Sequence, residues 1–227
     1  MTLPGWLTSA RETVDAAISA ESSRQWREVA LEARSELEER LGELIALEVA
    51  VKVGRDGDWF DCVWDSRGAG LAVEALVSKG PQRAAVNRLQ TSLPAFVADA
   101  KRTVTDAWIA RIHDQVGRAD DLSVLAEVLG RIPDHEEQQE MLTAALRPIK
   151  KLMGSLPTST SEQDLTSAAE AVDAAFKNAF GDVEVREFLL AASRSGADLH
   201  QLTRTVLAWI EENGGANLLR ISIGPAR

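Results

Sequence analysis

The sequence predicts a mainly α-helical protein: a multi-helix bundle with one β-hairpin at about residues 47–65 and a short C-terminal strand at about 218–223. Two observations predict the helices. Aromatic residues make up only 5% of the chain and tyrosine is absent, and strands draw on aromatic and β-branched residues. Apolar residues also recur at helical spacing through most of the chain. The 227 residues are enough for one large domain or two small ones.

The first two helices follow from capping and periodicity. Ser9 and Glu12 form a capping-box pattern that opens a helix to about residue 20. A longer helix begins after Ser23, and its apolar residues recur at helical spacing: Trp26, Ala30, Ala33, Leu37, Leu41 and Leu44. This stripe covers about three heptads, so it fits either a helix in a folded bundle or a coiled coil between chains.

The acidic stretch VKVGRDGDWFDCVWDS, residues 51–66, predicts the hairpin. Asp56–Gly57 is a typical two-residue type I′ turn. Across that turn, apolar residues face apolar residues and acids face bases: Val53–Phe60, Val51–Cys62, Val49–Trp64, Lys52–Asp61 and Arg55–Asp58. Most of the aspartates therefore have structural roles, and the single cysteine falls on the apolar face. A buried, unreactive thiol is expected there, and one cysteine excludes an internal disulfide.

The outer face of this hairpin would carry Glu48, Asp61 and Asp65, which are weak candidates for a divalent-metal site. A hard cation needs several oxygen ligands from more than one element, and one hairpin does not supply them. No metal or other cofactor is therefore expected. His135 and Glu136 begin a near match to the zinc-protease motif HExxH, but Gln139 stands where the second histidine is required. Without a catalytic triad or phosphate-binding loop, a non-catalytic protein is favoured over an enzyme.

Glycine and proline residues mark the later helices. Pro94 fits the first turn of a long helix that Gly117 ends, and Pro148 predicts a kink or break in another. The expected helices span about 69–79, 82–91, 93–116, 120–130, 134–153, 162–180, 183–193 and 199–213.

The predicted domain organisation is a helical bundle of residues 1–153 with the inserted hairpin, a linker at 154–161, and a small helical unit of 162–227 with the terminal strand. The linker, GSLPTSTS, is rich in serine, threonine and proline. The tail LLRISI alternates in the manner of a strand. An isolated hairpin is marginal in water, so the tail is expected to pair with it.

Charge limits the classes of partner. The formal net charge is −10, which disfavours sequence-independent binding of nucleic acid. Arg147, Lys150 and Lys151 form the one tight basic cluster. No signal peptide and no membrane span are expected, because the start lacks a basic segment followed by an apolar one and the longest apolar run is short. These features favour a cytoplasmic protein, and an excess of 19 Arg over 6 Lys suggests a bacterial source.

The favoured function is therefore a non-catalytic interaction or assembly subunit of a multiprotein complex, which binds another protein or itself. Trp26 and Leu37 of the long helix and Trp209 of the last helix are the candidate interaction residues. One alternative is a DNA-associated regulator with a helix-turn-helix-like C-terminal unit. Residues 155–227 hold 10 acidic and 6 basic residues, which disfavours it. The third hypothesis is a metal-dependent enzyme with a dispersed site.

Overall fold

Helices form almost all of the structure, a computed structural model that describes residues 5–19, 24–62, 64, 66–132, 134–194 and 197–213. Within these ranges there is no strand, and a 3-10 turn at Leu199–Gln201 precedes the last helix. The α-helices are α1 (Gly5–Ser19), α2 (Arg24–Asp56), α3 (Arg67–Lys79), α4 (Arg83–Val116), α5 (Ala119–Leu129), α6 (Glu136–Met153), α7 (Ser161–Phe180), α8 (Val183–Arg194) and α9 (Arg204–Glu212).

The chain divides into two compact units, and the first comprises Met1–Ala110 together with Ser155–Glu162. Its α1 packs against both α2 and α3. The buried faces of α1, α2, α3 and α4 share one hydrophobic core, in which side chains recur every three or four residues along each helix. The α2 and α4 positions in that core are Val29, Ala30, Ala33, Leu37, Leu44, Leu47, Ala50, Val51, Ala85, Val86, Leu89, Leu93, Val97, Ala100 and Val104.

Helices α2 and α4 run in the same direction. Arg83 near the start of α4 forms an ion pair with Glu32 of α2. Further along both helices, Lys101 Nζ lies 2.8 Å from Glu43 Oε1. The pairs occur in the same order on the two helices, so α2 and α4 are parallel and α3 returns the chain between them.

The second unit comprises Arg111–Gly154 and Gln163–Arg227. Within it, α5 packs against α6 and α8, and α8 packs against α9. An aromatic group joins α7 to α9, where the rings of Phe180 and Trp209 have centroids 5.9 Å apart. Buried His135, just before α6, lies edge-on to Trp209. The guanidinium of Arg186 lies over the ring of Phe176, 5.4 Å from its centroid, in a cation–π contact.

The prediction of a β-hairpin at about 47–65 is wrong, because α2 continues without interruption to Asp56. Buried positions in this part of the helix are Leu44, Leu47, Val51 and Gly54, three or four residues apart. That spacing extends the helical stripe that begins near Ala30. Val49, Val51 and Val53 alternate along the sequence as in a strand, but they lie on different sides of a helix. Helical burial therefore prevails over the β preference of valine.

The Asp-Gly-Asp sequence ends α2 instead of forming a hairpin turn. Asp58 adopts a left-handed conformation with φ of 57°, which aspartate tolerates better than most residues. Its backbone N–H donates to the carbonyl of Arg55, and the N–H of Trp59 donates to the carbonyl of Gly54. These two bonds are those of a Schellman motif. Turn-forming residues suit both structures, so the sequence of this segment does not distinguish a hairpin turn from a helix end.

Proline interrupts neither of the two helices in which the sequence predicted a boundary. Pro94 lies inside α4 and Pro148 lies inside α6. An internal proline removes one backbone hydrogen bond. In α4 the apolar stripe nevertheless continues across it, since Leu89, Leu93 and Val97 are all buried. Core packing on both sides of Pro94 keeps 83–116 as one helix.

Two predicted features concern the later part of the chain. The strand at 218–223 lies outside the described residues, and so does its expected pairing. The stretch 154–161 is short and irregular, and buried Pro157 and partly buried Leu156 anchor it to the first unit. The hydroxyl of Ser161 accepts a hydrogen bond from the backbone N–H of Thr158. The predicted domain boundaries stay a prediction.

Candidate interaction surface

The three acidic candidates for a metal site lie in and after the end of α2. Glu48 is half-buried on α2 and Asp61 is exposed in the segment that follows, whereas Asp65 lies outside the described residues. Among the residues that the structure describes, no group of three or more His, Cys, Asp or Glu side chains comes together to hold a metal ion. The metal hypothesis for this set stays a prediction.

The three predicted interaction residues lie in different settings. Leu37 belongs to the core of the first unit and is 5% exposed. Trp209 is half-buried in the second unit, against Phe180 and His135. Trp26 lies in the first turn of α2, and its side chain is outside the described part. Their role in binding a partner stays a prediction.

The side of α2 that faces away from the core carries three exposed apolar residues among polar ones. Seven exposed residues follow one another at alternating spacings of four and three residues: Leu31, Ser35, Glu38, Gly42, Ile45, Val49 and Lys52. We call them the outer stripe. Leu31 is 47% exposed, Ile45 is 43% exposed and Val49 is 37% exposed. Residues at this spacing share one face of a helix, so the outer stripe is a continuous strip of surface about 32 Å long at 1.5 Å per residue.

Gly42 lies at the centre of the outer stripe, and packing within the described chain does not require a glycine there. A Cβ atom added there would meet nothing within 4 Å. Glycine in a helix interior lowers stability by about 1 kcal/mol relative to alanine. Gly54, in the same helix, is different because its added Cβ would lie 2.5 Å from Cβ of Phe60. One glycine is required by the fold, and the other leaves a shallow notch on an exposed surface.

Ion pairs on one flank fix α2 against α4 and leave the outer stripe free of that contact. Arg40 donates hydrogen bonds to Glu36 and to Glu43, and Glu43 also accepts one from Lys101. These bonds lower the pKa of Glu43, with Lys101 the larger cause and burial opposing the change. The pKa of Arg40 is raised by the same carboxylates, first by Glu43. On the stripe itself, the hydrogen bond from Arg34 lowers the pKa of Glu38.

The end of α2 is held by an aromatic group that the hairpin prediction missed. The indole Nε1 of Trp59 donates a 2.5 Å hydrogen bond to Oε1 of Glu162. The ring centroids of Trp59 and buried Trp108 are 5.3 Å apart. The ring centroids of Phe60 and Trp64 are 5.6 Å apart. The hairpin backbone was predicted wrongly, but three of the residues predicted on its inward face are shielded from solvent. Phe60 is buried, and Cys62 and Trp64 are partly buried.

The surface charges of α9 give no support to DNA reading. In the helix-turn-helix hypothesis this helix would enter the major groove. Its exposed side carries Arg204 but also Glu211 and Glu212. The basic cluster of Arg147, Lys150 and Lys151 is exposed at the end of α6, where cations complement the helix dipole.

Comparison with known proteins adds no relative: the chain matches no family model, no curated protein and no solved structure. Within the described ranges, no helix combines the length and apolar character that crossing a membrane requires. The candidate functional surface of the described chain is the outer stripe of α2.

Proposed function

We propose that this protein is a non-catalytic interaction subunit of a cytoplasmic, bacterial multiprotein complex, and that it binds through the outer stripe of α2. The observation that carries the proposal is the exposure of Leu31, Ile45 and Val49 on one face of a helix whose opposite face packs in the core. Exposed apolar side chains that are rimmed by polar residues are typical of protein-binding sites. Helices bind partners through anchors three, four and seven residues apart, and Ile45 and Val49, which are four residues apart, are such a pair on the outer stripe.

The form of α2 supports this role. It is 33 residues long, and its far end is secured by the Schellman motif and by Trp59. The flank facing α4 is fixed by the Lys101–Glu43 ion pair. A rigid helix presents its anchors with little loss of conformational entropy on binding. The outer stripe is thus a pre-ordered binding surface.

A capture experiment with matched variants tests the proposal. The tagged full chain would be recovered from its native host as wild type, as Ile45→Glu/Val49→Glu, and as the control Leu71→Glu. Leu71 is an exposed apolar residue of α3, outside the outer stripe. We expect a stoichiometric protein partner, either another host protein or the untagged chain itself, with wild type and control, and its loss with the stripe variant, while circular dichroism shows equal helix content. No bound protein, or equal capture by all three forms, contradicts the proposal.

A further inference from the structure

We infer that residues 35–52 of the outer stripe bind a second copy of this chain, antiparallel through α2. This inference rests on the proposed interaction role of that surface. It goes further by naming the partner, the direction of the two helices and the centre of the contact.

The charges of the outer stripe carry the argument. Only two of its seven residues are charged, Glu38 and Lys52. They have opposite signs, and each lies seven residues from Ile45. If two copies of α2 meet antiparallel with a two-fold axis near Ile45, Glu38 of each copy lies level with Lys52 of the other. A two-fold axis forms both ion pairs at once, because each surface contacts the same surface of the second copy.

The shape of the stripe fits the same axis. Gly42 precedes Ile45 by three residues and Val49 follows it by four, so Gly42 of one copy lies nearly level with Val49 of the other. The notch left by Gly42, where an added Cβ would meet no atom of its own chain, then receives the valine. Small residues let two helices approach closely. This explains a helix-interior glycine that intramolecular packing does not.

A parallel pair of α2 helices fits less well. With both copies in the same direction and in register, Glu38 faces Glu38 and Lys52 faces Lys52, and like charges in contact disfavour association. Gly42 then faces Gly42 and leaves a gap without a side chain to fill it. The sequence of the stripe therefore selects both the partner and its orientation.

The first test is the oligomeric state of the purified full chain by sedimentation equilibrium over a range of concentrations. We expect a concentration-dependent dimer that is weakened by Glu38→Lys and by Lys52→Glu, each by ten-fold or more in Kd. The double variant restores the opposite charges across the axis and should dimerise like wild type. The control Lys79→Glu changes the same charge on the exposed end of α3 and should leave the equilibrium unchanged.

The second test fixes the orientation by disulfide formation in a Cys62→Ser background. Cysteine at position 45 lies opposite itself across the axis and should cross-link two chains. Cysteines at position 38 would be about 21 Å apart in the antiparallel pair, at 1.5 Å per residue, which is too far for a disulfide. Cross-linking of Ile45→Cys but not of Glu38→Cys, together with charge rescue, supports the inference.

Three results overturn it: a monomer at every concentration, cross-linking at both positions, or a double charge variant no better than the single ones. The capture experiment separates this failure from that of the proposed function. If the purified chain is monomeric but the stripe variant still loses a host protein, the stripe binds a different partner and only the self-association is wrong. If the purified chain is monomeric and the stripe variant captures the same proteins as wild type, both proposals are wrong.

Discussion

Gly42 and Gly54 lie in the same helix, and their surroundings are opposite. A methyl group on Gly54 would collide with Phe60, whereas a methyl group on Gly42 would meet no atom of the described chain. Both residues forgo the helix propensity of alanine. At Gly54 that cost is offset by the return of the chain over the end of α2. At Gly42 the compensation has to be sought outside the monomer.

The largest effect is expected when a side chain is placed into the close approach at Gly54. Gly54→Ala places Cβ 2.5 Å from Cβ of Phe60, and overpacking of this kind lowers the free energy of unfolding by about 1–3 kcal/mol. Chemical denaturation of the purified protein measures it. The same substitution at Gly42 serves as the control. Equal effects at the two positions would show that the end of α2 is not packed as described.

A somewhat smaller effect is expected from the tryptophans that follow Gly54. Trp59→Phe removes the N–H that donates to Glu162, and because this pair is only partly buried the loss should be about 0.5–1.5 kcal/mol. Trp64→Phe is the matched control, because the Trp64 Nε1 is buried without a hydrogen-bond partner among the described residues. Thermal melting of both variants should show the larger loss at Trp59. A larger loss at Trp64 would contradict the role given to Glu162.

Gly42→Ala should act in the opposite direction. Alanine is the better helix former and its methyl group has open space, so the free energy of unfolding should rise by about 0.5–1 kcal/mol. Denaturation at low protein concentration, where chains are separate, measures this gain. A loss of stability at that concentration would mean that Gly42 already packs within its own chain, and the comparison with Gly54 would fail.

The smallest effect is expected from removing the charge of Glu43, which is ion-paired on the flank of α2 beside Gly42. Its pKa is lowered below the ordinary 4.5, so the charged carboxylate stabilises the folded state above that pH. This stabilisation is lost as the pH falls below about 4.5 through the lowered pKa. Glu43→Gln should therefore reduce the melting temperature near pH 7, and the difference from wild type should shrink in acid. Glu74→Gln, exposed on α3, is the control; a constant difference at all pH values would contradict this account.

Much of the helical fold could be predicted from the sequence, because periodic burial and glycine stops are local signals. Gly80, Gly117 and Gly181 have positive φ and follow three helices close to the expected ends. The hairpin could not be excluded in the same way. Asp56, Gly57 and Asp58 suit a Schellman motif as well as a type I′ turn, and the choice depends on packing of Leu47, Val51 and Phe60 in the shared core, which is tertiary.

The outer stripe could not be predicted from the sequence for a related reason. A strand at 47–56 places Val49 on an inward face with Val51 and divides the seven-residue pattern through Gly42 and Ile45. The signal that could have found it is the spacing of Leu31, Gly42, Ile45 and Val49 on one side of a longer helix. Exposure, which distinguishes this series from the core series, is not a property of the sequence alone.

The bond between Trp59 and Glu162 also has a consequence for how the chain is made. Residues 155–162 belong to the first unit, yet they leave the ribosome only after α5 and α6 have been synthesised. Domains generally fold in order from the N-terminus during translation, but here the first unit lacks its last segment until residue 162 has emerged. Its early form therefore carries an unfinished surface at Trp59, and its folding overlaps in time with that of the second unit.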